Sequence, residues 1–372
     1  MNRPLHIAVD ASRTLVPRQT GTEYYARALI QALIQQNTRH RLTLYFREAP
    51  PPDLFPASPL VSLRVIPFRR LWTHLRFAAA LWQDRPDVTF VPAHTLPFLF
   101  PGKGMVTAHD LGYKVFPQAH TFASRLYLDL TTRYSTARAR IVLADSQATA
   151  DDLTRYYGTP PAKIRVVYPG VAKPAVGDIQ AVRPKYHLPE RYFFFIGTLQ
   201  PRKNIARIVQ AYQRWRQANP DDEAALVLAG GKGWLYDEAW VAGVEGVRLL
   251  GYIDEADKGA LYAGALALVF PTLYEGFGFP VLEAMHCGTP VIASSTSSLP
   301  ELVGDAGLLV DPLDVEAIAQ AMTRLATDQS LRTAFTERGK RQASRFTWTA
   351  AAADVLKALE EAGSTQAHSK QL

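Results

Sequence analysis

The stretch Pro271-Thr272-Leu273-Tyr274-Glu275-Gly276-Phe277-Gly278-Phe279-Pro280-Val281-Leu282-Glu283 concentrates unusual chemistry. Two carboxylates frame two glycines and a proline. Gly276 and Gly278 let a backbone approach a ligand closely, and a helix beginning near Pro280 would turn its first N–H groups and its dipole toward an anion. A phosphate suits such a place. Neither glutamate has a cation beside it in the chain. Two readings stay open: Glu275 complements the helix start while Glu283 faces solvent, or both hold a ligand. A second candidate is Gly197-Thr198-Leu199-Gln200-Pro201-Arg202-Lys203-Asn204, where two cations can converge on a ligand or simply form a solvated cap. A third is His109-Asp110, with Asp110 placed to orient the imidazole or the pair serving structure alone.

These motifs must stand on strand ends. The apolar run 266–270 reads as a buried parallel strand feeding the Glu275 loop, and Gly288 and Pro290 stop the helix that follows. Residues 192–196 form the strand before Arg202, and 105–108 the strand before His109. Others are expected at 5–10, 42–46, 63–66, 88–91, 141–144, 164–168, 225–229, 247–250 and 308–310. Strands alternating with helices imply doubly wound parallel sheets, whose C-terminal strand ends hold ligands. Tyr25, Ala28, Leu29, Ala32 and Leu33 share one helical face, which sets Gly21 at a strand-to-helix turn. With 372 residues, two domains are expected. They are placed at 1–172 and 191–345, joined by an aperiodic linker at 173–190, with a helix at 346–361 and a disordered tail at 362–372.

The formal charge of +7 is uneven: residues 1–170 hold 21 Lys+Arg against 11 Asp+Glu, leaving 20 against 23 for the remainder. Such a basic half would attract anionic lipid, a diphosphate-linked acceptor or nucleic acid. Phe68, Leu71, Trp72, Leu75, Ala79 and Trp82 repeat at helical spacing with Arg69, Arg70, His74 and Arg76 between them. This predicts a basic amphipathic helix that packs on a sheet, touches a membrane surface, or does both on different faces. The single cysteine, Cys287, excludes an internal disulfide and fits a reduced, cytoplasmic setting. The first residues do not read as a signal peptide, and no apolar run reaches 18 residues.

The glutamate motif, followed by Ala-Met-His-Cys-Gly-Thr-Pro-Val-Ile-Ala, resembles the donor-site motif of retaining glycosyltransferases of family 4. The resemblance implies the GT-B fold, two Rossmann-like doubly wound parallel-sheet domains facing a central cleft. It implies transfer of a hexose of mannose or glucose type from a nucleotide diphosphate sugar to a lipid-linked or polysaccharide acceptor. In family terms Gly21 belongs to a loop that closes over the donor diphosphate, and His109 faces the donor sugar. Arg202 and Lys203 resemble the diphosphate-binding pair, with Gly197 just before them. The backbone at Ile253 touches the base, and Gly276, Phe277, Gly278 and Phe279 line the donor. Glu275 holds sugar hydroxyls and Glu283 holds ribose. The sequence has no Asp-x-Asp, so metal independence is expected, with no cofactor beyond the donor itself. The expected partners are donor, glycan or lipid-linked acceptor and an anionic membrane surface, with no nucleic acid. The final helix is expected to cross back onto the first domain. Competing readings are a GT-B enzyme with a soluble acceptor, a nucleotide-sugar epimerase, and a silent glycosyltransferase-like subunit.

Overall fold

The computed structural model describes residues 3–15, 21–68, 70–93 and 95–364. Arg69 and positions 365–372 of the expected tail lie outside the described residues, as do Gln19 and Thr20 before Gly21. The chain divides into two units, one of residues 1–113, 120–170 and 347–372, the other of 114–119 and 171–346.

The first unit is built on strands rich in Val, Ile, Leu and Phe: β1 (His6–Asp10), β2 (Arg41–Phe46), β3 (Val61–Val65), β4 (Val88–Val91), β5 (Lys103–Ala108), β6 (Ile141–Ala144) and β7 (Ile164–Val166). They pair in parallel in the order β3-β2-β1-β4-β5-β6-β7. Helices α1 (Gly21–Gln36), α2 (Ala78–Asp84), α3 (Gly112–Val115), α4 (Phe122–Arg138) and α5 (Gln147–Tyr157) connect them. Separate clusters of buried side chains cover the two sheet faces, which is why central strands such as β4 and β6 are buried along their whole length while the edge strand β3 is largely exposed.

The second unit opens with α6 (Ile179–Tyr186) and then runs β8 (Tyr192–Ile196), α7 (Ile205–Ala218), β9 (Ala225–Ala229), β10 (Val247–Gly251), α8 (Lys258–Ala263), β11 (Ala267–Phe270), α9 (Phe279–His286), β12 (Val291–Ser294), α10 (Leu299–Val303), β13 (Leu308–Val310), α11 (Val315–Thr327) and α12 (Gln329–Ala343). Its parallel order is β10-β9-β8-β11-β12-β13. In both sheets the order reverses once, between β1 and β4 and between β8 and β11, and such switch points open a crevice at the strand ends. A last helix, α13 (Trp348–Gly363), is capped by Thr347, whose hydroxyl accepts from the Ala350 N–H at 3.1 Å. It buries Ala351, Ala352, Val355, Ala358, Leu359 and Ala362 in the first unit, against α1.

Three expectations change. The stretch 173–190 is not an aperiodic linker throughout, because Asp178 caps α6 and Val182 packs into the second unit's core. Strand β12 went unrecognised, since four residues between Pro290 and a run of serines carry little periodicity. The helix expected from Phe68 begins only at Thr73, with a π-type turn over Thr73–Phe77 closed by the Phe77 N–H on the Trp72 carbonyl at 2.9 Å. The extra residue in that turn breaks the 3.6-residue phase. Phe68, Leu71 and Trp72 lie before this helix; Trp72 is buried, while Phe68, Leu71, Leu75 and Trp82 are exposed.

Candidate active site

The β8 end supplies the first wall. After Gly197 the chain makes a single 3₁₀ turn, Pro201–Lys203, and Asn204 takes φ 64°, a left-handed conformation that asparagine tolerates. Buried Asn204 then ties three strand ends together, its amide donating to the Pro271 carbonyl at 2.8 Å and the Pro312 carbonyl at 2.7 Å. The Leu273 N–H donates to the Arg202 carbonyl at 2.9 Å, so the β8 and β11 loops are stitched across the switch point.

That stitching brings the cations to the glutamate. Lys203 Nζ lies 2.5 Å from Glu275 Oε1, and an Arg202 guanidinium nitrogen lies 3.7 Å from Oε2 and donates to the Tyr274 carbonyl at 3.2 Å. Lys203 also sits 5.0 Å above the Phe270 ring. The Lys203 and Glu275 side chains keep only 12% and 9% of their surface exposed, where water screens poorly. The glutamate loop is fixed from β12: the Glu275 N–H donates to Ser297 Oγ at 3.0 Å, while the Ser297 and Ser298 hydroxyls donate back to the Glu275 carbonyl. Ser298 also donates to the Phe277 carbonyl. Gly278, at φ 130°, turns the loop into α9, and a Cβ there would stand 2.6 Å from Leu299. Phe277 packs edge-on against Phe279 at 5.1 Å.

Glu283 is held one turn into α9. It accepts from Lys258 Nζ at 2.9 Å and from the Tyr262 hydroxyl at 2.8 Å, both from α8. Burial would pull the Lys258 ammonium down, but Glu283 and Glu255 outweigh it and hold its pKa above the usual lysine value. Burial, then Glu283, pushes the Tyr262 phenol well up. Both glutamates thus have cationic partners in space although neither has one in sequence. Glu283 does not face solvent.

Glycines floor the neighbouring strand ends. The Gly197 N–H donates to the Ala229 carbonyl at 2.9 Å and the Gly230 N–H to the Gly251 carbonyl at 2.7 Å. Gly230 sits so close to Gly197 that a Cβ would fall 2.1 Å from its carbonyl oxygen. Half-buried Ile253 packs against the core, and exposed Tyr252 lies over Gly231.

In the first unit, Gly21 starts α1 and His109 is buried past the β5 end. The His109 partner is Asp145 and not Asp110: Nδ1 stands 2.7 Å from Asp145 Oδ2, and Nε2 stands 3.2 Å from the Pro92 carbonyl. Asp110 instead accepts from the Gly112 N–H at 2.8 Å. Two acceptors facing two ring nitrogens suit the imidazolium. Burial opposes that charge, but Asp145, the Pro92 carbonyl and Asp110 together outweigh it and raise the His109 pKa. The Tyr25 ring meets His109 edge-on at 4.7 Å.

Sequence reasoning missed Asp145, Ser297, Ser298, Lys258 and Tyr262. Asp145 could have been found, since it directly follows β6 and strand ends were already suspect. Lys258 and Tyr262, four apart on a short helix, carry no local signal.

Residues 178–342 match the family described as "Glycosyl transferases group 1", and residues 19–173 match "Glycosyltransferase Family 4". The chain is 34% identical over 292 residues to O-antigen chain mannosyltransferase B of Escherichia coli, covering 74% of each protein. It is 31% identical over 223 residues to the serotype-specific mannosyltransferase WbdA of Escherichia coli, covering 57% of this chain and 27% of that protein. Among solved structures it resembles sucrose-phosphate synthase from Thermosynechococcus elongatus, with a TM-score of 0.74, 23% identity and coverage of 97% and 99% of the two chains.

Proposed function

The chain belongs to the group 1 glycosyl transferases of family 4, and from that membership we propose that it transfers a hexosyl group, mannosyl first among the choices, from a nucleotide diphosphate sugar to a polysaccharide or lipid-linked acceptor. Its two parallel sheets are those of the GT-B fold. Mannose is favoured by the names of two relatives. The observation that carries the reading is the meeting of Arg202, Lys203 and Glu275 at the β8/β11 switch point.

In this reading Arg202 and Lys203 receive the donor diphosphate, and Glu275 is left to accept from sugar hydroxyls. Gly197, Gly276, Phe277, Gly278 and Phe279 let the donor lie against backbone, the Ile253 backbone meets the base, and Glu283, braced by Lys258 and Tyr262, receives the ribose hydroxyls. By family likeness, Gly21 contacts the donor diphosphate and His109 the donor sugar. As the bond from the anomeric carbon to phosphate oxygen breaks, negative charge grows on the diphosphate, and two fixed cations stabilise it without rearranging. The acceptor oxygen bonds to the same face of the sugar while the departing phosphate oxygen takes its proton, so configuration is retained with no protein nucleophile and no metal. The reaction belongs in the cytoplasm, at an anionic membrane surface that presents the acceptor.

A panel of nucleotide sugars tests this by donor hydrolysis and thermal shift, with and without a chelator. Stabilisation and slow hydrolysis by one nucleotide sugar, surviving the chelator, are expected. A protein that binds none of them would be a silent subunit, and an absolute need for added metal would refute the two-cation account.

A further inference from the structure

The first unit carries a face that this chemistry leaves unused. On α4, Phe122, Leu126 and Leu130 recur every fourth residue and are 71%, 46% and 53% exposed. Leu99, in the 95–101 loop that joins α4 through Tyr134, is 76% exposed. Two ring contacts and one hydrogen bond join α4, the 95–101 loop and the turn at Thr73–Phe77. His74 stacks on Phe98 at 4.1 Å, its Nε2 lies 3.3 Å from the Tyr127 hydroxyl, and Phe98 meets Tyr134 edge-on at 5.0 Å. Leu71 and Leu75 extend the same turn outward, and Leu71 is 61% exposed at φ 55°, a conformation leucine avoids.

The charge around this face is mainly positive. Segments 70–83, 95–101 and 121–138 contain five arginines and one acid, Asp129, which accepts from the Tyr157 hydroxyl at 2.7 Å. Arg76 lies over the Phe68 ring and Arg125 over the Phe122 ring, each at 5.8 Å, so charge and apolar surface are interleaved. A second copy fits poorly, because a two-fold contact sets this arginine-rich face against itself. Nucleic acid would leave the exposed leucines without partners, since bases stack on aromatic rings. A bilayer surface accepts both classes: aliphatic and aromatic side chains sink to the headgroup boundary while arginines snorkel to lipid phosphates.

We propose that the α4 face, with Leu99 and the Leu71–Leu75 turn at its edge, docks the enzyme on anionic lipid. This rests on the proposed membrane-presented acceptor and moves the main contact from the helix expected after Phe68 to α4. The test is co-sedimentation of the full chain with phosphatidylcholine vesicles, with and without phosphatidylglycerol, at low and high salt. The parent should bind only the anionic vesicles, less so in high salt. L126D/L130D should lower partitioning about tenfold or more at either salt. Arg125→Glu should remove mainly the salt-sensitive part. Leu313→Asp, at a leucine 60% exposed in the second unit, should bind as the parent does. All three should keep the parent's thermal midpoint. Indifference of the parent to phosphatidylglycerol, or unchanged binding by L126D/L130D, overturns the proposal. So does a concentration-dependent dimer that L126D/L130D dissolves, which would make the partner a second copy. Donor hydrolysis without vesicles is read in parallel: its absence in the parent strikes the transferase reading, whereas its presence with no vesicle binding strikes only the docking face.

Discussion

Lys203 and Glu275 stand 72 positions apart in sequence and 2.5 Å apart in space. One follows β8 and the other follows β11, the strands between which the sheet reverses its order. Both side chains lie in a poorly hydrated place, and Arg202 stands 3.7 Å from the same carboxylate, so removing Glu275 takes a charge partner from both cations. A diphosphate arriving at Lys203 would take over the lysine and release the glutamate for sugar hydroxyls.

Neutralising a cation should therefore act on turnover more than on binding. Lys203→Ala is expected to lower kcat by about 10²- to 10³-fold with a smaller rise in KM, as for loss of one preorganised donor. Arg202→Lys should retain more, because it keeps the charge and loses only the planar fork. Steady-state kinetics on folded variants decide this, and a change confined to KM would show that the two cations bind the ground state only.

Glu283 should behave differently. Ribose gains no charge in the reaction, so Glu283→Gln should raise the donor KM about tenfold while kcat stays within a few-fold. Lys258→Ala strips Glu283 of its cation and should also lower stability by about 1–3 kcal/mol. Denaturant titration and kinetics on the two variants would separate these effects; equal kcat losses in both would place Glu283 at the reacting centre.

The His109–Asp145 pair predicts a pH dependence. A histidine whose folded pKa is raised contributes stability that is fully present below its unfolded value of about 6.5 and fades as pH rises through the folded value. With Asp145 and Asp110 the charges acting on the ring, the thermal midpoint should decline as pH rises above about 6.5. In Asp145→Asn the largest of the groups opposing burial at His109 is gone, so that decline should flatten. Parallel pH profiles for parent and variant would refute the assignment.

Gly230→Ala tests the glycine floor. Its φ of 129° and the Gly197 carbonyl 2.1 Å from the added Cβ both oppose any side chain. The substitution should cost on the order of 1–3 kcal/mol in stability and weaken nucleoside diphosphate binding, as calorimetry would show. An alanine variant with parental stability and affinity would mean that the β8 and β9 ends can separate freely.

The sequence by itself determined the two parallel sheets and the family, because short apolar runs between turn residues, and the Glu275–Glu283 and Arg202–Lys203 motifs, are local patterns. It placed twelve of the thirteen strands among the described residues, missing β12, which packs between β11 and β13 but carries little pattern of its own. The tertiary structure alone decided partnership. Lys203 meets Glu275, Lys258 and Tyr262 hold Glu283, and Asp145 displaces Asp110 at His109, each from another strand end or helix. Phase was decided the same way: the helix starts only at Thr73, with a π-type turn, so the stripe from Phe68 to Trp82 is not one continuous helical face. Periodicity records which face of an element is apolar; it carries no record of what the chain folds against that face, and charge pairs across a sheet's switch point exist only once the strands are ordered.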